Sequence, residues 1–277
     1  MTVTYHVLAS GPGWRVSDVR CTGGPHDPRF EERHDETCIA PVMQGTFQYR
    51  AAHGSAVLAP GTVLLGNHGT YFECGHDHGT GDRCLAFHFA PENHEAILAE
   101  VPGARRIDFT VPRLPPLPAL MPLLAAGEAA RDDRDADALA ELALRLAGAV
   151  AALLTGSERA VRAPSRRDEK RVSEALRRIE VAADERIALD DLARETATSP
   201  YHFLRVFRQV VGMTPHQFVL RTRLHRAAVR LRRSDKAISA IAFDSGFNDL
   251  STFNRRFRRL MGTSPSAYRS AGSRTVI

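Results

Sequence analysis

Residues 241–269 read IAFDSGFNDLSTFNRRFRRLMGTSPSAYR, and this stretch decides how the second half of the chain folds. Residues 191–219, which precede it by 50 positions, carry a related pattern. Residues of like chemistry coincide at seven pairs of positions: Phe203 and Phe253, Phe207 and Phe257, Arg208 and Arg258, Gly212 and Gly262, Thr214 and Ser264, Pro215 and Pro265, and Phe218 and Tyr268. A repeat of this period indicates that one supersecondary unit is used twice.

Each copy of the repeat predicts a short helix, a turn and a longer helix. In the first copy, residues 189–195 form the short helix, Ser199 and Pro200 start the longer one, and Gly212 ends it. In the second copy the short helix spans 238–245, and Asp249 and Gly262 are the start and stop signals of the longer helix. A short helix, a tight turn and a longer helix make a helix-turn-helix, whose second helix can enter the major groove of DNA.

The longer helix of each copy has an apolar side and an outward side. Phe203 and Phe207 in the first copy, and Phe253, Phe257 and Leu260 in the second, are expected to face the core. Arginine can pair with guanine and asparagine with adenine, so the outward sides carry the chemistry of base recognition. The outward candidates are Tyr201, Leu204, Arg205, Arg208, Ser251, Asn254, Arg255 and Arg258.

Residues 215–232 predict one helix that joins the two units. At ~1.5 Å per residue it is roughly 27 Å long, comparable to the ~34 Å between successive major-groove entries on one face of DNA. One chain could therefore read two adjacent grooves. Arginines along this helix could neutralise phosphates.

The charge distribution supports a nucleic-acid partner for the second half only. Residues 1–161 carry 13 lysines and arginines against 20 acidic residues, whereas residues 162–277 carry 24 against 12. An acidic half joined to a basic half is typical of a nucleic-acid-binding module attached to another domain. The alternative is a structural or protein-interaction module with a solvated basic face, which predicts only weak, sequence-independent association with DNA.

The stretch 241–259, followed by Gly262, Pro265 and Tyr268, closely resembles the signature of AraC/XylS-type transcriptional regulators. The resemblance covers about residues 168–269 and implies an all-α domain of two helix-turn-helix units joined by a linker helix. It also implies an amino-terminal cupin-like sensor. Carried over position by position, it points to Tyr201, Leu204, Arg205, Leu250, Ser251, Thr252 and Arg255 as residues that contact DNA.

Short β-prone runs alternate with turns between residues 37 and 89, which predicts a small antiparallel barrel or sandwich. Helical periodicity follows, with an apolar stripe over 139–154. This stripe either packs on its own barrel or forms a dimer interface. We therefore predict an α+β, two-domain chain, with a cupin-like β-barrel over 1–110, helices over 111–157, a linker over 158–167 and the helix-turn-helix domain over 168–271.

The first half also contains four cysteines and a cysteine–histidine cluster. On an extended strand Cys74, His76 and His78 would share one face, and Cys84 follows shortly after, so these four residues are a candidate metal site. A hairpin tip with surface histidines and a redox-sensing thiol are the alternatives. The candidate effector or redox residues are Cys21, His34 and Cys38.

A cupin-type metalloenzyme fused to a DNA-binding module is the rival function. Residues 30–36, FEERHDE, contain one histidine where cupin enzymes usually have a His-x-His pair, although His68 and His88 could complete an unusual site. No catalytic triad or phosphate-binding loop stands out. We therefore expect a regulator that is not an enzyme, and no cofactor is assigned apart from the candidate metal ion.

The sequence lacks a run of about 18 apolar residues, and its first residues do not resemble a secretory signal. We expect a cytoplasmic protein that does not contact a membrane. Its expected partners are double-stranded DNA, a small-molecule effector, a second copy of the chain and RNA polymerase.

Overall fold

The computed structural model describes residues 2–76, 81–104, 108–156 and 164–273, with side chains as far as residue 270. The chain divides into two compact units, Met1–Val161 and Arg162–Ile277. Most of the predicted linker over 158–167 lies outside the described residues. No helix in the described part of the chain is long and apolar enough to span a membrane.

The first unit contains two antiparallel sheets. Their order is β1-β2-β9-β4-β7-β10 in the six-stranded sheet and β3-β8-β5-β6 in the four-stranded sheet. The β-prone runs predicted between residues 37 and 89 lie in strands β4 to β9, whereas β1 to β3 precede the segment in which individual runs were predicted. The strands are β1 (Val3–Gly11), β2 (Trp14–Cys21), β3 (Phe30–Arg33), β4 (Thr37–Gly45), β5 (Phe47–Ala51), β6 (Gly54–Leu58), β7 (Val63–Gly66), β8 (Tyr71–Gly75), β9 (Asp82–Phe89) and β10 (Arg113–Leu114).

The predicted antiparallel, cupin-like β domain is confirmed, although among the described residues its two sheets are not joined into a closed barrel by strand pairing. Closure would require the outer strands of both sheets to pair with one another. The chain instead passes from one sheet to the other between β4 and β5, where Gly45 has a φ of 76°. A Cβ atom at Gly45 would lie 2.1 Å from the carbonyl oxygen of Gly81, so only glycine fits this corner.

The hydrophobic core of the first unit lies between the sheets, since strands of both contribute to it. Val42 and Ala86 come from the six-stranded sheet, and Phe47, Tyr49 and Leu58 come from the four-stranded sheet. All five are buried.

The described residues of this unit also form helices α1 (Pro91–Ala99), α2 (Met121–Asp132) and α3 (Ala136–Leu154). The predicted apolar stripe lies on α3, where Leu139, Leu142, Leu146 and Val150 are buried. Helix α3 contacts α1, α2 and β1 of its own unit. The structure therefore favours packing on the same unit as the reason for the stripe.

A buried ionic cluster joins α2 to the sheet. Arg83 on β9 donates from Nε to Asp18 Oδ1 at 2.6 Å and from Nη2 to Glu128 Oε1 at 2.6 Å. Arg131 lies 3.8 Å from Asp18. Because Asp18 is on β2 and Glu128 is on α2, one guanidinium group holds two strands and a helix together.

The second unit is entirely helical among its described residues. Its helices are α4 (Arg166–Ala182), α5 (Leu189–Glu195), α6 (Pro200–Val211), α7 (Pro215–Arg233), α8 (Ile238–Phe243), α9 (Leu250–Met261) and α10 (Pro265–Ser273). The predicted start signals are confirmed, since Ser199 and Asp249 accept hydrogen bonds from the backbone of the helices that follow them. Gly212 and Gly262 end α6 and α9 with φ values of 81° and 74°.

Each copy of the repeat has its own hydrophobic core. Phe203 and Phe207 belong to the first core, and Phe253 and Phe257 belong to the second. Helix α7 contributes to both, with Val219 in the first core and Leu224, Ala227, Ala228 and Leu231 in the second. The predicted joining helix is therefore confirmed, and it is shared by the two subdomains.

We predict that Arg83→Met lowers the free energy of unfolding of the first unit by about 3–5 kcal/mol, because it leaves the buried Asp18 without its main cationic partner. Trp14, the single tryptophan, lies on β2 and reports this unfolding by fluorescence in urea. The control is Arg20→Met, which removes a cation that is 61% exposed and 3.4 Å from Asp18. The control should change stability by no more than about 1 kcal/mol. Equal stability of Arg83→Met and wild type would contradict this role.

Candidate nucleic-acid interface and sensor pocket

Helix α9 presents a polar, cationic surface opposite its buried aromatic side. Phe253 and Phe257 are fully buried, while Ser251, Arg255 and Arg258 are exposed. Thr252 and Asn254 are half-buried beside them, and Leu250 is 37% exposed at the first turn. The outward face predicted for the second unit is therefore present. The prediction is wrong for Leu260, which was expected in the core. Leu260 is 46% exposed, because it lies in the last turn of α9, past the part of the helix that packs on the core.

The first turn of α9 is fixed by its cap. The Asp249 carboxylate accepts a hydrogen bond from Thr252 N at 2.7 Å. This backbone hydrogen bond holds the pKa of Asp249 below its usual range. Asp249 therefore stays ionised and sets the direction in which α9 leaves the turn.

Helix α6 presents a smaller exposed surface than the sequence predicts. Arg205 and Arg208 are exposed as expected. Tyr201 and Leu204, expected on the same outward face, are instead 5% and 2% exposed. The prediction of exposure is wrong for these two residues, since the periodicity of one helix does not show what else in the chain covers it. Neither side chain can reach a base while it is buried.

A chain of polar contacts holds Arg205. His202 Nε2 lies 3.2 Å from Asp168 Oδ1, and Arg205 Nη2 lies 3.2 Å from His202 Nδ1. Burial alone would raise the pKa of Asp168, but hydrogen bonds from Ser165 and His202 outweigh it and lower the pKa to about 2. An ionised carboxylate on α4 thus positions a side chain on α6.

Several arginines of α7 bind the ends of other helices. Arg223 donates to the carbonyl oxygen of Ala183 at 2.5 Å, and Arg230 donates to that of Asp244 at 2.7 Å. Arg232 lies over the ring of Tyr268 at 4.5 Å. These cations satisfy helix carbonyls and pack on an aromatic ring, so their first role is structural.

The first unit contains a cavity of about 410 Å³, open to solvent on one side and lined by residues of both sheets. Its walls are mainly apolar, and all four cysteines line it. Tyr5 Oη donates to Glu32 Oε2 at 2.8 Å on the lining. The cavity itself is not predictable from local sequence, because it forms where the two sheets face each other. Representative apolar lining residues are Val19, Phe30, Phe47, Leu64, Phe72 and Ala86.

Buried His34 and partly buried His88 on the cavity wall are both neutral. His34 Nε2 lies 2.9 Å from Tyr49 Oη, and the ring stacks on Phe72 at 4.1 Å between centroids. Burial lowers the pKa of His34 to about 3 and that of His88 to about 4. A Cβ atom at Gly66 would lie 2.3 Å from His34 Nε2, so the glycine makes room for this ring. Of the predicted effector residues, Cys21, His34 and Cys38 all line the cavity.

The predicted metal cluster is rearranged. His78 lies outside the described residues, and Cys74 and Cys84 line the cavity without being grouped with His76. His76 instead has donor atoms of Cys21 and Asp82 near its own, all within 4.8 Å of one another. Asp82 was missed because its position opposite Cys21 depends on the register between β2 and β9.

The buried cysteines do not have the chemistry of a reactive thiolate. Burial raises the pKa of Cys38 to about 12, and burial also raises the pKa of Cys21, Cys74 and Cys84. A redox-sensing thiol requires a lowered pKa and access to solvent. The structure therefore disfavours this alternative.

The histidines of the rival enzyme site do not assemble. His34 and His88 line the cavity, but His68 is exposed and its Nδ1 lies 2.7 Å from the carbonyl oxygen of Asp35. His68 therefore does not complete a metal site with the other two.

Comparison with known proteins finds a family match for each half of the chain. Residues 192–271 match the family of helix-turn-helix domains, and residues 19–148 match the AraC-like ligand binding domain. The transcriptional activator AarP of Providencia stuartii is 36% identical over 98 residues, which are 35% of this chain and 73% of AarP. The regulatory protein SoxS of Escherichia coli is 33% identical over 101 residues, 36% of this chain and 94% of SoxS.

The chain belongs to the AraC family of transcriptional regulators. A crystal structure of an AraC-type regulator from Chromobacterium violaceum is 26% identical, with a TM-score of 0.37, and covers 39% of this chain and 96% of that one. In this AraC-family chain the matched helix-turn-helix region contains α6 and α9, and the matched ligand-binding region contains most of the strands that line the cavity.

Proposed function

We propose that this AraC-family regulator reads specific double-stranded DNA with the exposed faces of α6 and α9, under the control of a small molecule bound between its two sheets. The observation that carries the proposal is the face of α9. Its exposed Ser251, Arg255 and Arg258 lie opposite a fully buried Phe253 and Phe257, on a helix whose start is fixed by Asp249.

The side chains on α9 match the needs of base recognition. Arg255 has two donor groups that fit guanine, while Ser251 and Asn254 can donate or accept. A rigid helix with a buried aromatic side presents these groups without prior ordering of a loop. We therefore assign direct base contact to Ser251, Asn254 and Arg255, and support from Leu250, Thr252 and Arg258 at the edge of this face.

Helix α6 contributes the second contact. Arg205 is held by the Asp168–His202 pair, and Arg208 is exposed beside it. We assign these two arginines to a neighbouring groove or its phosphates. Tyr201 and Leu204 are left out, because both are buried.

The side chains that line the cavity indicate which kind of effector would bind there. A mainly apolar space of about 410 Å³, with Tyr5 paired to Glu32 and His34 and His88 neutral, suits a small apolar molecule that carries a hydrogen-bonding group. Ser17 and Val19 line the cavity and flank Asp18 in sequence. A molecule bound in the cavity can therefore shift β2 and change the ionic cluster that holds α2. A ligand shifts the equilibrium between two states only by its different affinity for each.

The remaining parts of the proposal concern context. The chain acts without catalysis, in the cytoplasm where its DNA lies, and contacts RNA polymerase when bound to a promoter. A second copy of the chain can pair on the outer strand β1, whose Tyr5 and Val7 are 55% and 53% exposed.

We predict that Arg255→Ala weakens binding to the preferred duplex by ~1–3 kcal/mol and relaxes discrimination at one base position. Fluorescence anisotropy on a duplex selected from a random pool, and on a scrambled duplex at the same salt concentration, measures both effects. Arg177→Ala, which removes an exposed arginine on α4, is the matched control for lost positive charge. An equal loss on both duplexes would show that Arg255 contacts only phosphate.

We predict that Ala86→Phe lowers the affinity for the apolar dye anilinonaphthalene sulfonate by at least about tenfold, or about 1.4 kcal/mol. The added ring occupies part of the cavity, whose wall includes Ala86. Val57→Phe on the exposed face of β6 is the control and should leave dye binding unchanged. Circular dichroism checks the fold of each variant. Unchanged binding by Ala86→Phe would place the dye outside the cavity.

A further inference from the structure

We propose that Cys21, His76 and Asp82 form a binding site for one zinc ion at the end of the cavity. Their ligand atoms lie within 4.8 Å of one another. His76 and Asp82 are six residues apart, whereas Cys21 is more than 50 residues away in sequence and meets them only through the fold. This site is independent of the DNA-binding function proposed above.

The backbone brings these donors together. Cys21 is the last residue of β2 and lies directly opposite Asp82, the first residue of β9, in the antiparallel register. His76 follows the end of β8, which belongs to the other sheet. Two donors therefore come from strands of the six-stranded sheet, and the third comes from the residue that follows a strand of the four-stranded sheet.

The donors are shielded from bulk water. Cys21 is 7% exposed and His76 is 4% exposed, and the side chain of Asp82 is 8% exposed. Three groups with metal-binding chemistry in so small a buried volume are not explained by solvation of a surface loop. Burial also favours a site whose total charge is zero. A divalent cation bound to one thiolate, one carboxylate and one neutral imidazole meets that condition.

Neighbouring groups orient the donors. The Gly23 amide donates to Cys21 Sγ at 3.3 Å, an interaction that stabilises a thiolate. His76 Nε2 lies 2.7 Å from Asp82 Oδ1, and Cys84 Sγ lies 3.6 Å from Asp82 Oδ2. The contact with Cys84 holds Asp82 Oδ2 in place, so that Asp82 Oδ1 can bind the metal ion. The direct His76–Asp82 contact would open slightly to admit the ion.

The donor set selects zinc. Magnesium and calcium bind oxygen ligands and do not favour a thiolate, whereas copper(I) favours sulfur without a carboxylate. Zinc accepts sulfur, nitrogen and oxygen together in tetrahedral geometry. Cys21 and Asp82 also line the cavity, so we place the fourth position on that side, where it can hold water or a polar group of the effector.

Bound zinc would link the two sheets at this end of the cavity. Binding to the folded state alone stabilises that state by mass action. Thermal stability should therefore increase with zinc concentration in wild type and should not do so when a donor is removed.

The experiment uses the full chain, reduced with a phosphine and stripped of metal by a chelator. Zinc affinity is measured by competition with a chromophoric chelator, and cobalt(II) replaces zinc as a spectroscopic probe. We expect one ion per chain, visible bands of tetrahedral cobalt and a sulfur-to-cobalt charge-transfer band. Cys21→Ser should remove the charge-transfer band and weaken zinc binding by at least about 100-fold.

Two further variants make the test specific. His76→Gln keeps a side chain that can bond to Asp82 but removes the imidazole ligand, so it should lose zinc affinity with the fold intact. Cys38→Ser removes another buried cysteine of the same cavity and should bind like wild type. Circular dichroism without metal identifies any variant that fails to fold, and the remaining donor variant then decides the test. Absence of zinc binding by wild type, or unchanged binding by Cys21→Ser or His76→Gln, would overturn the proposal.

Discussion

Helix α7 is the constraint on which the second unit depends. Its Val219 lies in the core that contains Phe203 and Phe207, and its Leu231 lies in the core that contains Phe253 and Phe257. A helix of 19 residues is roughly 28 Å long. Because both cores pack on the same rigid helix, α6 and α9 cannot move independently without breaking one of them. The spacing of the two faces that we propose contact DNA is therefore a property of the fold.

The same principle of shared packing organises the first unit. Arg83 holds β2, β9 and α2 through its contacts with Asp18 and Glu128, while the opposite face of these strands lines the cavity. The alternation of side chains along a strand explains this arrangement, because Asp18 faces α2 and its neighbours face the cavity. The residues that line the cavity on β2 are therefore direct sequence neighbours of Asp18, which belongs to the ionic cluster that positions α2.

Local signals made much of the helical unit predictable. The Ser199–Pro200 start, the Asp249 cap and the glycines at 212 and 262 each act within one turn, and all were identified in sequence. Long-range contacts were harder to predict. The pairing of Cys21 with Asp82 depends on strand register, and the burial of Tyr201 and Leu204 depends on parts of the chain that helical periodicity does not specify. The separation into two sheets likewise depends on which strands pair at their edges.

Hydroxyl-radical footprinting of the full chain on its preferred duplex tests the central claim most directly. If α7 fixes α6 and α9 over adjacent major grooves, two protected patches should lie on one face of the DNA, about one helical turn, or ~10 base pairs, apart. A single protected patch, or two patches with variable spacing, would contradict the claim that one chain reads two grooves through a rigid joining helix.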